Sequence, residues 1–322
     1  MPSQGLTPFP WRPPHARALE LVLGGSSPAL EVELRGIQPP QLRVPARGMG
    51  MGQRLEALLG FCDGAAQLLQ GQRGVVRVQL LDEDPGPPSI RFDAPLEADG
   101  GGPLIPDPYC LMSGGYGALR QAFQQRQLPP WRERLPLALW RGSSTGLEPL
   151  DLHNLPHNKR YQLCRLGKAH PQLLDARFTA VVQSRDASAH QALTHHLHQN
   201  DHLRPRIEPW DAALHRWLIE IDGNVNSWGL LWKLLSGSCV LRVASSRRQW
   251  YHHRLEPWVH VVPVAADLSD LEERLVWCRR HLEHCEAMAL AGQQLAEQVV
   301  AELGPSLVAA CQAYGERWLA PG

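Results

Sequence analysis

Short apolar runs recur along the chain, separated by stretches rich in Gly, Pro, Asn and Asp. Runs of this length, flanked by turn residues, predict strands. The predicted strands are two segments within 18–34, followed by 75–81, 137–140, 178–182, 217–221, 239–243 and 258–264. Apolar residues spaced three and four apart predict helices at 52–69, 228–236 and 271–285. Because strands alternate with helices in the second half, the pattern predicts an α/β protein with a parallel, doubly wound sheet there.

The segment 217–243 carries the most specific local prediction. Its first apolar run predicts a strand that passes through a Gly/Asn turn into a helix beginning at Trp228, with Ser227 as the N-cap. Gly237 suits the position after the helix, and Asp222 is expected to accept a backbone hydrogen bond within the turn. Such a turn presents backbone N–H groups and the positive end of a helix dipole at the edge of a sheet. The segment therefore predicts an anion site.

Composition and charge narrow the classes of function. The 32 basic and 32 acidic residues give a formal net charge of zero without a basic block, so nucleic acid is not expected as a partner. No apolar run approaches the roughly 20 residues that a transmembrane helix needs. The N-terminal sequence lacks the pattern of a signal peptide, and the seven cysteines include no C-x-x-C pair and lie mostly in apolar runs. We therefore expect a cytoplasmic protein with buried free thiols.

Four motifs occur in the order and spacing of a known family. They are LWRGSSTG at 139–146, IDGN with SW within 221–228, LSGS at 235–238, and PWVH with VPV within 257–264. With these motifs the chain resembles glycosyltransferase family 90, which includes protein O-glucosyltransferases, fungal capsule xylosyltransferases and bacterial lipopolysaccharide-modifying enzymes. The resemblance is densest from 137 to 290.

The resemblance implies a GT-B type of α/β fold, in which two Rossmann-like domains face a central cleft. Residues 1–128 would then form the acceptor-side domain and 129–304 the nucleotide-sugar-binding domain. Residues 305–322 would form a C-terminal helix that packs back on the N-terminal domain. The resemblance also implies inverting, metal-independent transfer of a sugar of the glucose or xylose class from a UDP-sugar to a hydroxyl acceptor. No cofactor is expected beyond the UDP-sugar as co-substrate.

The resemblance assigns the donor-binding residues to two motifs. Arg141, with Gly142 and Ser143, matches the family's R-G-S motif, and a guanidinium suits the phosphate oxygens of the diphosphate. The nucleotide-sugar loop corresponds to Asn224, Val225, Asn226, Ser227, Trp228 and Gly229.

Gly229 departs from the family pattern, because many members carry Arg at this position. A second positive contact to the diphosphate would then have to come from Lys233, Arg247 or Arg248.

An acidic triplet after the strand at 75–81 is open to three interpretations. In the family, an Asp at this point acts as the general base. One registration with the family pattern points to Glu83 and another to Asp82, and we favour Asp82 over Glu83 and Asp84. Asp82 and Asp84 also form a D-x-D pattern typical of metal-dependent glycosyltransferases. The third interpretation is a solvated acidic turn.

Two classes of function follow. The first is a glycosyltransferase that acts on a lipopolysaccharide or other surface glycan, with a UDP-sugar as donor. The second is a nucleotide-sugar-binding protein with little or no transfer activity, for which the Gly at position 229 is the motivation.

Overall fold

The structure is a computed structural model that describes residues 8–11, 19–25, 27–97, 100–146 and 148–321. The chain divides into two compact units. Unit 1 consists of 1–116, 246–253 and 299–322, and unit 2 consists of 117–245 and 254–298. The first boundary thus lies twelve residues before the one predicted at 128, and unit 1 takes its residues from three separate parts of the chain.

The strands are β1 (Glu20–Leu23), β2 (Ala29–Arg35), β3 (Gln38–Val44), β4 (Gln72–Gln79), β5 (Ala94–Pro95), β6 (Leu135–Ser143), β7 (Leu174–Ala180), β8 (His215–Glu220), β9 (Cys239–Val243), β10 (Arg247–Arg248), β11 (Val262–Val264) and β12 (Ala320–Pro321). The α-helices are α1 (Gln53–Leu68), α2 (Pro108–Met112), α3 (Gly117–Gln125), α4 (Lys159–Ala169), α5 (Ala187–Gln199), α6 (Pro209–Ala212), α7 (Leu230–Leu235), α8 (Leu271–Arg280), α9 (Leu282–Ala301) and α10 (Leu303–Trp318).

The sheet of unit 2 is entirely parallel, with the strand order β11-β9-β8-β6-β7. The predicted α/β class with a parallel sheet is therefore confirmed. Strands β8 and β9 are buried almost throughout, and this burial explains why they read as continuous apolar runs. In chain order the first strand, β6, lies between the second, β7, and the third, β8, so the chain changes direction across the sheet at β6. This is the doubly wound order, whose ligand sites lie at the carboxyl ends of the two strands where the order reverses.

The sheet of unit 1 has the order β1-β3-β2-β4-β12. Only β1 and β3 are parallel, and every other pair is antiparallel. Unit 1 therefore has a mixed, mainly antiparallel sheet, whereas the sheet of unit 2 is parallel. The physical reason is the two-residue connection at 36–37, because strands joined by so short a turn pair only in the antiparallel sense.

Strand β3 was not predicted, because Pro39 and Pro40 argue against a strand. The structure accommodates both prolines where the register between β2 and β3 shifts, between Glu33 and Arg35. Pairing with β1 begins only at Gln41.

The C-terminal residues complete unit 1. The Tyr314 hydroxyl, in α10, donates hydrogen bonds to the carbonyls of Val75 (3.0 Å) and Pro88 (3.3 Å). Beyond α10, β12 pairs antiparallel with β4.

Two predicted helices differ from the observed ones. Helix α7 begins at Leu230 with Gly229 as the N-cap residue, so the predicted start at Trp228 with a Ser227 cap is wrong. At six residues, α7 is too short to supply the predicted dipole-based anion site. Gly237 does follow the helix in the left-handed conformation, as predicted (φ +67°). The helix predicted at 271–285 is broken at His281 into α8 and α9.

All seven cysteines are buried and unbridged, as predicted. Within the described residues, no helix combines the length and the hydropathy that a bilayer crossing requires.

Candidate functional site

Two loops meet at the carboxyl ends of β6 and β8, where the strand order of unit 2 reverses. The first loop follows β6 and the second occupies 221–229 after β8. The Gly146 backbone N–H donates a hydrogen bond to Asn224 Oδ1 at 3.1 Å, which joins the loops directly. The structure thus brings together the two segments that the sequence assigned to donor binding.

Arg160, in the first turn of α4, ties these loops together. Its guanidinium donates to the carbonyls of Ser143 (3.0 Å), Ile221 (3.1 Å) and Asp222 (2.9 Å) and to the Thr145 hydroxyl. Burial lowers the pKa of Arg160 to about 10. Sequence reasoning missed this residue, because it lies in a polar stretch whose composition does not distinguish it from a solvated helix start.

The turn after β8 is held by its own backbone and by Asp222. Asp222 Oδ1 accepts a hydrogen bond from the Ser227 backbone N–H (3.1 Å), so the predicted structural role of this carboxylate is confirmed. The Gly223 N–H donates to the carbonyl of Val225 (3.2 Å), and the side chains of Val225 and Asn226 are buried. The turn is therefore a fixed feature of unit 2.

The R-G-S motif lies at the end of β6, but its arginine points away from the loops. Arg141 Nη1 donates to the carbonyls of Trp140 (2.9 Å) and Asp175 (3.0 Å), and the guanidinium forms an ion pair with the Asp175 carboxylate. Asp175 is opposite Leu139 in the register of β6 and β7. The ion pair thus lies towards the start of β6, at the position of Leu139, which is two residues and roughly 6–7 Å from Arg141 along the strand.

The two residues after Arg141 in this motif, Gly142 and Ser143, help to pack the end of β6. A Cβ on Gly142 would lie 2.6 Å from the Trp140 ring, so this position requires glycine for close packing. The Ser143 carbonyl, and not its hydroxyl, makes the contact with Arg160.

The end of the second loop contains Ser227, Trp228 and Gly229. Ser227 Oγ accepts a hydrogen bond from the Gly229 N–H at 3.4 Å, and all three residues are half-buried. Lys233, one turn further on, is buried and forms an ion pair with Glu220. Arg247 and Arg248, the other cations considered for the diphosphate, belong to unit 1, where Arg247 pairs with Asp93.

Each carboxylate of the acidic triplet in unit 1 pairs with a different arginine. The pairs are Asp82 with Arg54 (2.9 Å), Glu83 with Arg47, and Asp84 with Arg91 (3.3 Å). Asp82 is the most enclosed of the three, with 26% of its side chain exposed against 51% for Glu83. The hydrogen bond that Arg47 donates to the Glu83 carboxylate raises the pKa of Arg47. In the part of the chain that the structure describes, no three His, Cys, Asp or Glu side chains are grouped closely enough to hold a metal ion.

Comparisons with known proteins point to one family. The model of glycosyl transferase family 90 matches residues 114–302, more than half of the chain. The uncharacterized protein 035R of Invertebrate iridescent virus 3 is 35% identical over 165 residues, which cover 49% of this chain and 14% of that protein. Protein O-glucosyltransferase 2 of Danio rerio is 30% identical over 169 residues, covering 52% of this chain and 30% of the relative.

The chain thus spans less than a third of the length of these two relatives. Among solved structures, Anabaena Alr3699/HepE in complex with UDP-glucose has a TM-score of 0.39 and 12% identity, covering 62% of this chain and 52% of that chain. The family match contains both loops and Arg160, whereas the acidic triplet at 82–84 lies before the matched range. The chain therefore belongs to glycosyltransferase family 90, the family that the sequence motifs predicted.

Proposed function

We propose that the protein is an inverting, metal-independent glycosyltransferase that moves a sugar of the glucose or xylose class from a UDP-sugar to a hydroxyl acceptor. One observation carries the proposal: two loops are joined at the strand-order reversal of a parallel sheet, within the segment that matches the family. The name of the Danio rerio relative, a protein O-glucosyltransferase, supports glucose as the first donor to test. We propose a lipopolysaccharide or another surface glycan as the acceptor.

The reaction proposed is a single displacement at the anomeric carbon. The acceptor oxygen forms a bond to that carbon while the bond to UDP breaks, and the electron pair leaves with the diphosphate. Because negative charge develops on UDP, fixed N–H donors and cations at the loops lower the barrier. Asp82, or Glu83 in its place, takes the acceptor proton as general base. No other cofactor enters this scheme.

One observation favours the second candidate, a nucleotide-sugar-binding protein without transfer activity. Arg141 is paired with Asp175, Lys233 is paired with Glu220, and position 229 carries no cation. These three positions therefore supply no unpaired positive charge to stabilise a leaving diphosphate. The two candidates predict the same binding of UDP and differ in turnover.

The test is the hydrolysis of UDP-glucose and UDP-xylose, measured as UDP release with and without EDTA, alongside calorimetric binding of UDP. We expect UDP to bind and to be released from at least one donor in the presence of EDTA. Loss of release on adding EDTA would instead support a metal-dependent enzyme using Asp82 and Asp84. Binding of UDP without release, also in the presence of candidate glycan acceptors, would support the binding protein.

The base is tested by Asp82→Asn and Glu83→Gln, with Asp84→Asn as the matched control from the same turn. Removal of a general base lowers turnover by about 10²- to 10⁴-fold. We expect that loss in Asp82→Asn, with UDP affinity unchanged, and smaller losses in the other two variants. Turnover equal to that of wild type in all three variants would contradict the assignment of the base to this triplet.

A further inference from the structure

Lys233 and Glu220 form a buried ion pair at the strand-order reversal of unit 2. Lys233 lies in α7 with 10% of its side chain exposed, and Glu220 is the last residue of β8 with 5% exposed. The Lys233 ammonium donates one hydrogen bond to the Glu220 carboxylate and another, of 2.8 Å, to the carbonyl of Ile219. The cation is therefore held at a fixed point at the carboxyl end of β8.

The ammonium group has a donor to spare. A lysine carries three N–H donors, and the two contacts to Ile219 and Glu220 use two of them. Among the described residues, no third acceptor is hydrogen-bonded to Lys233 Nζ. Its further neighbour is the ring of Trp232, whose centroid lies 5.8 Å away.

Gly229 is the residue of the second loop that lies directly beside this ammonium. A Cβ at position 229 would lie 3.3 Å from both Nζ and Cε of Lys233. A larger side chain would therefore pack directly against the cation. Gly229 is half-buried and ends the second loop, so the ammonium lies beside the loop that the sequence assigned to the nucleotide-sugar.

We propose that Lys233 is a donor-binding cation of unit 2, whose ammonium contacts the diphosphate of the UDP-sugar beside Gly229 while Glu220 holds it in position. This inference rests on the proposed function and adds a residue to it. A compact ammonium suits the task, because it interacts with an anion as a point charge and needs only one free donor. Arg141, in contrast, is directed back along the sheet towards Asp175.

The pair explains how the site tolerates a buried cation in the absence of ligand. An isolated buried ammonium is strongly destabilising, and a hydrogen-bonded carboxylate offsets much of that cost. The same carboxylate weakens the attraction for an incoming anion, so the contribution of Lys233 is that of one charge-assisted hydrogen bond. Such a bond corresponds to about a 10- to 150-fold change in affinity.

The test measures the dissociation constants of UDP, inorganic pyrophosphate and uridine by calorimetry. The variants are Lys233→Met and the double variant Lys233→Met with Glu220→Gln, which avoids leaving an unpaired buried carboxylate. Lys168→Met is the control, because it removes an exposed lysine of unit 2 that donates to the carbonyl of Asn200. We expect both test variants to bind UDP and pyrophosphate at least 10-fold more weakly, with uridine binding unchanged and the control equal to wild type.

Gly229→Ala provides an independent arm, because it covers the ammonium without removing the charge. We expect it to weaken UDP and pyrophosphate binding several-fold. If wild type binds UDP and the folded double variant binds UDP and pyrophosphate equally well, Lys233 is only a structural tie and the inference is overturned. If wild type itself binds no UDP, the proposed function fails first, and the inference with it.

Discussion

Gly223 lies where two loops and a buried guanidinium meet in less space than a side chain would need. A Cβ at this position would overlap Thr145 Oγ1 and lie 2.9 Å from Arg160 Nη2. Neither neighbour is free to move away, because Thr145 and Arg160 are hydrogen-bonded to each other and Arg160 is bound to three carbonyls. The glycine is thus required by close packing at the candidate site, although its φ angle is an ordinary one.

Gly223→Ala should therefore separate the two loops. We expect it to lower the free energy of unfolding by about 1–3 kcal/mol, as overpacking in a filled interior does. UDP affinity should fall as well. Gly117→Ala is the matched control, since a Cβ there meets nothing within 4 Å. Urea unfolding of both variants measures the difference, and equal stability would show that the loops relax around the added methyl group.

At the scale of residues, the sequence predicted local backbone contacts better than contacts between distant parts of the chain. The polar turn and the backbone role of Asp222 followed from short-range residue preferences, because both are local. Arg160 and the pairing of Lys233 with Glu220 were not predicted, since each depends on groups 13 or more residues away. The direction of Arg141 was missed for the same reason, as its partner lies 34 residues further on, in the neighbouring strand.

At the scale of elements, α4 serves as the support on which the two loops rest. It begins with the Asn158 side chain accepting a hydrogen bond from the Tyr161 N–H (3.0 Å), and the same amide donates to the carbonyl of Thr145 (3.2 Å). Arg160 lies within this first turn and reaches both loops. The position of one helix start thus sets the distance between the ends of β6 and β8.

Arg160→Met should release the loops while keeping the helix. Three carbonyl groups then lose a buried donor, at about 1 kcal/mol or more for each, so we expect a loss of about 3 kcal/mol in unfolding free energy. Arg160→Lys should recover only part of it, because one ammonium does not match the fork of a guanidinium. Arg165→Met, on the exposed side of α4, is the control. Chemical denaturation measures the free energy of unfolding of each variant. A value for Arg160→Met equal to that of wild type would refute the role of α4.

The strands were predicted best where burial on both faces imposes a continuous apolar run. The range predicted for β9 matches the observed Cys239–Val243, and β8 differs by two residues at its start and one at its end. The strand predicted at 258–264 is shortened to β11, because Trp258 adopts a left-handed conformation (φ +66°) in a turn. β3 was missed because its prolines lie at a register shift, which depends on the partner strand.

At the scale of the whole molecule, the formal net charge is zero, but one buried histidine makes the free energy of unfolding sensitive to acid. His202 follows α5 with 2% of its surface exposed, and its ring packs edge-on against Tyr161 at 5.3 Å between centroids. Burial lowers the pKa of His202 to about 4, and the nearby Lys168 and Arg177 act in the same direction. The folded state therefore disfavours the imidazolium, whereas the unfolded chain takes up a proton near pH 6.5.

The sign of the resulting pH dependence follows directly. The contribution of the neutral, buried His202 to the free energy of unfolding is fully present above pH 6.5. It is lost as the pH falls towards 4, because only the unfolded state binds the proton in that range. We expect the loss to reach about 3 kcal/mol. His202→Gln should reduce the slope of unfolding free energy against pH over this range, and the exposed His198→Gln should not. Denaturant titrations between pH 7 and 4 compare them, and identical slopes would contradict the prediction.

The discontinuity of unit 1 has a consequence for how the chain acquires its structure. Helix α10 meets β4 through contacts that span 239 residues, from Val75 to Tyr314. A contact of this sequence separation closes slowly and only after α10 has been synthesised. The edge of β4 is therefore unprotected while unit 2 is being made. Unit 2 ends at residue 298 and has its whole sheet available earlier. Unit 2 is thus the half of the protein positioned to fold first.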